Sequence, residues 1–377
     1  MGKLFSWIVR IFKGGYVAND NPYAPVHVES NLIVKNKPSG NPGAKPFKKN
    51  QAAKAAAAGK KAVPKIKEYD GSYKHLAEHV DATYFDWMAG KSEANPIRDP
   101  AFEKKIVEYL DTLAESEFAG SNLIPRVPSV MVQLLKRMHE ENVSGSELSR
   151  IITKDVVLVA AILREVNNSF YNLSDKVTEL SQAILLLGHN RLRMVLAKLS
   201  FTPVYNDQLG NYTKLTASKI WEESQYRALA CYLLAKHQKV DPFMAFLAGL
   251  MQDVGLMVAL RVFDRSSGNG ELPTSAQFRD GFQKKSLVLS ARIGQIWSIP
   301  ELVIRAVEAQ NGDRTALAKI PMARVLKKAD FISKTCMLIN NGQLALDMER
   351  VREILSDSES DCLITMLEGQ VSVANIL

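Results

Sequence analysis

Cysteine is scarce in this sequence, with only three among 377 residues. Cys231, Cys336 and Cys362 lie far apart in the chain, which argues against disulfides and favours buried thiols in a reducing compartment. No apolar run reaches the roughly 18 residues that a membrane-spanning helix needs. The composition, 46% hydrophobic and 23% charged, is typical of a globular protein with a substantial core.

Acidic residues are almost absent from the first 67 positions, where Asp20 and Glu29 stand against 13 lysines and arginines. This tail has a net charge of +11, and because the whole chain carries +8, the remaining residues carry −3. Residues 18–70 are rich in Pro, Gly, Ala and Lys, which predicts a disordered linker. Its lysines can attract anionic lipid or nucleic acid nonspecifically. Specific nucleic-acid recognition is not expected, because the linker has no aromatic series for stacking bases.

Residues 1–17 are predicted to form a short amphipathic basic helix. Its narrow polar face consists of Lys3, Ser6, Arg10 and Lys13. Its wide apolar face includes Phe5, Trp7, Ile8 and Phe12. One interpretation is a helix lying in an anionic membrane surface, which would place a cytoplasmic protein at the inner face of the cytoplasmic membrane. The other is a helix docked on the protein's own body or on a partner. A secretory signal is disfavoured because Arg10 interrupts the apolar segment.

Helical periodicity continues from residue 72 to the end of the chain, and no alternating pattern long enough for a strand is present. Asp99 followed by Pro100 is typical of a capped helix start. The sequence therefore predicts an all-α fold of packed helices. In the second half of the chain, helices are expected near 216–238, 242–263, 285–297, 300–310, 316–339 and 346–368.

An ordered series of short motifs occupies residues 121–312. Its most specific members are Pro125, Pro128, Asp155, Asn168, Ser169 and Gly188. This series resembles the HDOD family of bacterial signalling proteins. The resemblance implies a multi-helix HDOD domain over 121–312, an N-terminal helical extension at 71–120 and C-terminal helices at 313–377 packed on the domain. It also implies a non-catalytic regulatory function through protein–protein binding.

Three of these motif residues have local structural interpretations. Gly188 follows an apolar run and can end a helix in the left-handed conformation. Asn168 and Ser169 fall at a helix end, where their side chains can bond free carbonyls or cap the next turn.

The resemblance further implies a relation to HD phosphohydrolases, in which histidines and aspartates hold divalent metals that activate water. The matching positions in this sequence are Glu223, Gln252, Asp253, Ser290, Gln310 and Asp330. None of them supplies an imidazole, and amides are poor metal ligands. We therefore expect no catalytic residue, no bound metal and no cofactor. The alternative is a metal-dependent phosphohydrolase with a divergent site, since three carboxylates could hold a hard cation such as Mg²⁺.

Asp253 and Asp330 need hydrogen-bond donors if the helical body buries them. Arg227, Gln252 and Lys328 are the candidate donors. The favoured interpretation is a hydrogen-bonded link between two helices, and the alternative is a remnant pocket for a small ligand.

Two other patterns receive structural interpretations. His75 and His79 match the HxxEH motif of a zinc peptidase class, but we expect a plain polar helix face. Cys231 lies in an apolar run with no neighbouring histidine, so a buried thiol is expected. A third functional alternative is a nonspecific nucleic-acid binder that works through the basic linker. The sequence identifies neither the protein partner nor the input signal.

Overall fold

The computed structural model describes residues 72–90, 99–116, 145–167, 176–206, 210–267, 272–312 and 314–368. The predicted helix at 1–17 with its proposed membrane-binding residues, the linker at 18–70, and the motif residues Pro125, Pro128, Asn168 and Ser169 lie outside these ranges.

The described residues form helices and contain no strand, so the all-α prediction is confirmed. The first seven helices are α1 (Tyr73–Met88), α2 (Pro100–Glu115), α3 (Gly145–Ile152), α4 (Val156–Val166), α5 (Leu180–Asn206), α6 (Asn211–Ala235) and α7 (Pro242–Met251). The others are α8 (Val254–Ser267), α9 (Ala276–Ile296), α10 (Glu301–Glu308), α11 (Arg314–Lys319), α12 (Pro321–Asn340), α13 (Met348–Ile354) and α14 (Asp357–Leu367). A 3₁₀ turn, Ala309–Asn311, follows α10.

Side-chain caps determine where several helices begin. The Asp99 carboxylate accepts from the backbone N–H groups of Ala101 and Phe102, and Pro100 starts α2 without a loss of hydrogen bonding. Asp241 and Pro242 repeat the arrangement at α7. The motif residue Asp155 accepts from the N–H of Leu158 at 3.1 Å, which caps α4.

Helix α6 is the central element of the bundle. It packs most extensively against α7 and α12, and α5, α8 and α14 contact it as well. Every residue of α7 from Phe243 to Met251 is buried. Helices α1 and α2 lie on the outside of this core, α1 against α12 and α2 against α9.

Helices α6 and α7 approach each other closely at Gly249. A Cβ atom at this position would lie 2.5 Å from the Cα of Ala228, so only glycine fits. This approach brings the start of the α7–α8 turn beside the middle of α6, where the candidate site is located.

The single helix predicted at 242–263 is wrong, because α7 and α8 are separated by a turn at Gln252 and Asp253. Ser290 of α9 stabilises the break. Its hydroxyl donates to the Gln252 carbonyl at 2.6 Å and accepts from the Gly255 N–H at 2.8 Å. Two backbone groups at the turn thereby obtain a side-chain partner on another helix.

Other boundaries also differ from the predictions. Helix α9 begins at Ala276, and the segments 316–339 and 346–368 are each divided between two helices. Gly188 has φ 66°, ψ 175° within α5, so the expected positive φ is present. The ψ value is extended, however, and the residue kinks α5 without a left-handed helical cap.

One stretch of the described residues, Pro242–Ser266, has the length and hydropathy of a bilayer-crossing helix. This stretch was not predicted, because Gln252, Asp253 and Arg261 interrupt its apolar residues. In the structure 94% of its most apolar window is buried inside the fold. Core packing of α7 and α8 accounts for this apolar composition.

Candidate functional site: a buried arginine among three carboxylates

Arg227 is a fully buried charged side chain in the middle of α6. Its Nε donates to the Gly249 carbonyl at 3.2 Å, which becomes possible because α6 and α7 approach closely at this glycine. Its two terminal nitrogens point at carboxylates from three parts of the chain. A guanidinium has five donors in a planar fork, which suits it to bridge several acceptors.

The three carboxylates are Glu223, Asp253 and Asp330. Glu223 lies one turn before Arg227 on α6, and its Oε2 accepts from Arg227 Nη2 at 2.6 Å. Asp330 of α12 accepts from Nη1 at 3.0 Å. Asp253, in the α7–α8 turn, forms a short ion pair with Nη2. One cation thus connects α6, α12 and the helix break.

Further donors bind Asp330 and Glu223. Gln252 Nε2 donates to Asp330 Oδ1 at 2.7 Å, and Lys334 Nζ donates to Asp330 Oδ2 at 2.8 Å. Ser333 Oγ donates to Glu223 Oε1 at 2.6 Å. Hydrogen bonds of this kind are what allow buried carboxylates to be tolerated.

Lys334 extends the cluster to α1. Its ammonium group also binds Asp81 Oδ1 at 2.7 Å, and it lies 5.8 Å from the centre of the Tyr84 ring. The chain of contacts therefore runs from α1 through α12 to α6.

Burial and neighbouring charges move the pKa values of this cluster in different directions. Burial, with Asp253 and Asp330 nearby, raises the pKa of Glu223 well above its usual value despite the opposing charge of Arg227. Burial also disfavours the charged form of Asp330, but Lys334 and Arg227 outweigh it and lower the pKa of Asp330. The opposite directions show that the neighbouring cations stabilise the charged form of Asp330 more than that of Glu223.

Six positions were predicted from the resemblance to HD phosphohydrolases, and the structure brings four of them together. Glu223, Gln252, Asp253 and Asp330 surround Arg227. Ser290 is bonded to the backbone of the same turn. Gln310 lies apart, where its Nε2 donates to the carbonyls of Ala306 and Ala323 and joins α10 to α12.

Two of the three proposed donors are confirmed, and one is wrong. Arg227 and Gln252 bind the buried acids, but Lys328 pairs with Glu359 of α14 at 3.2 Å. Lys334 takes the expected place of Lys328. The i,i+4 spacing of Asp330 and Lys334 was a signal in the sequence that pointed to this pair.

The donor set does not fit the metal centre of an HD phosphohydrolase. The cation between Glu223, Asp253 and Asp330 is a guanidinium, and a divalent ion in the same place would be repelled by it. The other matched positions supply amides and a hydroxyl, which are weak ligands. Among the described ranges, no group of three His, Cys, Asp or Glu side chains could hold a metal ion.

The remaining candidates have structural roles. His75 and His79 lie on the exposed face of α1, and His79 Nε2 is 3.5 Å from Thr83 Oγ1. All three cysteines are buried with free thiols. Burial raises the pKa of the thiols of Cys231, Cys336 and Cys362. They are therefore poor nucleophiles.

Asn167, which precedes the predicted Asn168–Ser169 pair, was not among the predicted residues. Its Nδ2 donates to the carbonyls of Leu163 and Val177, and its Oδ1 accepts from the Val177 N–H at 2.8 Å. Asn167 therefore fastens the end of α4 to the segment that leads into α5, which is the type of bond that was expected for its neighbours.

The HDOD domain family model matches residues 124–312. The uncharacterized protein YuxH of Bacillus subtilis (strain 168) is 32% identical over 119 residues, 31% of this chain and 28% of that protein. An uncharacterized protein of Treponema pallidum (strain Nichols) is 20% identical over 193 residues, 49% of this chain and 37% of that protein. The chain thus spans about a third of the length of these relatives.

Among solved structures, an HDOD domain protein with unknown function from Geobacter sulfurreducens has a TM-score of 0.50 and 16% sequence identity. The match covers 74% of this chain and 93% of that chain. At this identity the likeness shows a shared fold.

Proposed function

The chain belongs to the HDOD family, and we propose that it is a regulatory protein that acts by binding another protein and has no catalytic activity. The observation that supports this proposal is the position of Arg227. Its guanidinium bonds to all three carboxylates that could have served as metal ligands. These acids are therefore engaged in holding α6, α12 and the α7–α8 turn together.

Energetic considerations favour a structural role for this cluster. Removing one partner of a buried ion pair leaves an uncompensated charge and costs about 3–5 kcal/mol. A metal enzyme would have to displace Arg227 from its partners before the acids could bind an ion. Four donors other than a metal already serve these acids, namely Arg227, Lys334, Gln252 and Ser333.

The competing function is a phosphohydrolase with a divergent carboxylate site, and a metal and turnover assay distinguishes it. The full chain, purified without chelators, is analysed for divalent metal and assayed on cyclic nucleotides and phosphoesters with added Mg²⁺ or Mn²⁺. We expect substoichiometric metal and no turnover. Stoichiometric metal together with hydrolysis that Asp253→Asn abolishes would contradict the proposal.

Partner binding is tested with the same substitution in cells. Asp253 is the least buried of the three acids, with a side chain that is 15% exposed, and Asp253→Asn keeps an oxygen acceptor for Arg227. We therefore expect it to destabilise the fold less than the loss of Arg227 does, while any metal chemistry is lost. Cross-linking and capture of the full chain should therefore recover the same protein with wild type and Asp253→Asn. Arg227→Met, which removes the cation from the cluster, should lose that protein. If none of the three chains recovers a protein above background, this result would contradict a binding function.

A further inference from the structure

The first half of α5 runs antiparallel to α4. Asn167, directly after α4, binds the backbone of Val177, which precedes α5. Glu165, near the same end of α4, pairs with Lys198 in the second half of α5 at 3.0 Å. Val177 and Lys198 are 11 residues before and 10 residues after the kink at Gly188. The kink therefore lies at the opposite end, beside the start of α4.

Apolar side chains protrude at this opposite end. Val156, the first residue of α4, is 80% exposed, and Leu185, shortly before the kink, is 83% exposed. These are the highest values among the large apolar side chains that the structure describes. Leu186 is also exposed, and Ala160 is exposed one turn after Val156 on the same side of α4. These four residues, Val156, Ala160, Leu185 and Leu186, are named the α4–α5 face.

The exposed charges beside the α4–α5 face are mostly positive. Arg150 and Lys154 precede Val156, and Arg164 lies two turns after it on the same side of α4. Lys176 is exposed at the other end of the helix pair. Against these four cations, the described residues of 145–187 contain one exposed acid, Glu179.

The half-buried charges do not reverse this sign. The acids Glu147, Asp155 and Glu165 are half-buried, and Asp155 caps α4 while Glu165 pairs with Lys198. Residues 145–198 carry a net charge of +2, and because residues 68–377 carry −3, the rest of the body carries −5. The α4–α5 face therefore belongs to a basic part of an otherwise acidic body.

We propose that the α4–α5 face binds an anionic lipid bilayer. Side chains as exposed as Val156 and Leu185 contact little of the protein, so they protrude from the surface and do not line a groove. They enter the boundary between headgroups and acyl chains, while the neighbouring cations contact lipid phosphates. The acidic remainder of the body is repelled by the same lipids, which selects this face for the contact.

The sign of the charge excludes two occupants from the chain itself. An isologous contact between two copies would place the same four cations against each other. The N-terminal tail carries +11 and is repelled as well. Nucleic acid matches the charge, but aliphatic side chains do not stack on bases, and α4 and the first half of α5 contain no aromatic residue. A bilayer uses both the cations and the apolar side chains.

Site-specific fluorescence in the full chain tests this proposal. The environment-sensitive fluorophore NBD is attached to Ala160→Cys, and the native thiols do not react because all three are buried. The control label is on Ala101→Cys, an exposed alanine of α2, which packs against α9. With phosphatidylglycerol vesicles, emission from the label at 160 should rise at least about twofold as it enters the interface. The label at 101 should not respond.

The control label separates contact of this face from tethering by the tail. If the chain pellets with the vesicles while both labels stay unchanged, only the tail binds and the proposal is wrong. Equal responses of the two labels would show that the body has no preferred face. An equal response to neutral phosphatidylcholine vesicles, or a response to duplex DNA in place of vesicles, would also overturn the proposal.

Substitutions on the face provide a second measurement. Val156→Glu with Leu185→Glu should abolish the response of the label at 160, whereas Leu302→Glu, at a 48% exposed leucine of α10, should preserve it. Thermal unfolding checks that these variants fold. Lys154→Gln with Arg164→Gln should raise the lipid concentration for half-maximal response by about tenfold. An unchanged response in either double variant would contradict the proposal. These outcomes are independent of the hydrolysis and capture assays that test the proposed function.

Discussion

Arg227 occupies the position between three acids where a metal ion would otherwise be bound. Its guanidinium holds together acids that the resemblance assigns to a metal centre, and it has no exposed surface. A buried charge of this kind adds little stability by its presence, because desolvation offsets its attraction to the acids. Its removal is costly because the acids then lack a counter-charge.

Replacing Arg227 with Met should lower the free energy of unfolding by about 3–5 kcal/mol, since Asp253 and Asp330 lose their shared cation. Urea denaturation monitored by circular dichroism measures the change. Arg352→Met on the exposed face of α13 is the control and should cost less than about 0.5 kcal/mol. Similar losses in the two variants would show that Arg227 is not the counter-charge of the site.

Glu223 makes stability depend on pH. In the unfolded chain its carboxyl group loses its proton near the usual value of 4.5, whereas the fold raises its pKa. Between these two values the folded state holds one more proton, so the free energy of unfolding falls as pH rises, by up to about 1.4 kcal/mol per pH unit.

The Glu223→Gln variant removes this proton and its pH dependence. Its stability relative to wild type should therefore increase as pH rises above the unfolded-state value of 4.5. Denaturation midpoints at several pH values provide the measurement, and Glu353→Gln on the exposed face of α13 is the control. Parallel stability curves for wild type and Glu223→Gln would contradict the raised pKa.

Side-chain spacing made part of this site predictable from the sequence. Arg227 and Gln252 were named as donors because buried acids require them, and both bind as expected. Lys328 was wrong because a helix turns about 200° between residues 328 and 330, so the two side chains point to different neighbours. The convergence of α6, α12 and the helix break on one guanidinium depends on tertiary packing, which periodicity does not encode.

At the scale of elements, the α6–α7 contact positions the Arg227 cluster. Gly249→Ala would place a methyl group against the backbone of Ala228, and we expect a loss of about 1–3 kcal/mol despite the better helix propensity of alanine. Gly281→Ala is the matched control, because its new methyl group would meet only the side chain of Val107, at 3.2 Å. Thermal unfolding of both variants is the measurement. A neutral Gly249→Ala would contradict close packing of these helices.

Most helices could be predicted from the sequence, but the breaks between them could not. Helical periodicity gave the all-α class, and the Asp-Pro signal gave the start of α2. The turn at Gln252 and Asp253 is stabilised by Ser290, which is distant in sequence, so local pattern could not reveal it. The helix predicted at 346–368 divides where Ser356 caps α14 through a reciprocal bond with Glu359, a local signal that was overlooked.

At the scale of the whole molecule, charge is divided between a tail of +11 and a remainder of −3. We expect nonspecific binding of duplex DNA, as of other polyanions, that weakens steeply with salt. Changing five linker lysines to glutamine should lower the slope of log K against log salt by roughly 0.9 for each phosphate that the linker no longer neutralises. The lysines are Lys45, Lys48, Lys49, Lys60 and Lys61.

Fluorescence anisotropy at several salt concentrations provides this measurement. The control changes Lys104 and Lys284, two exposed lysines of the helical body, and should leave the slope unchanged. A sequence preference, or a slope insensitive to the linker lysines, would contradict the nonspecific interpretation.

The contacts from Lys334 to both Asp81 and Asp330 set a minimum size for a stable fragment of this protein. The family match ends at residue 312, yet Asp330 and Lys334 follow it on α12, and Asp81 precedes it on α1. An excised piece trimmed to the match would carry Arg227 with two of its three acids and would expose the α6 surface that α12 covers. A self-sufficient portion therefore has to include α1 and α12, which both lie outside the match.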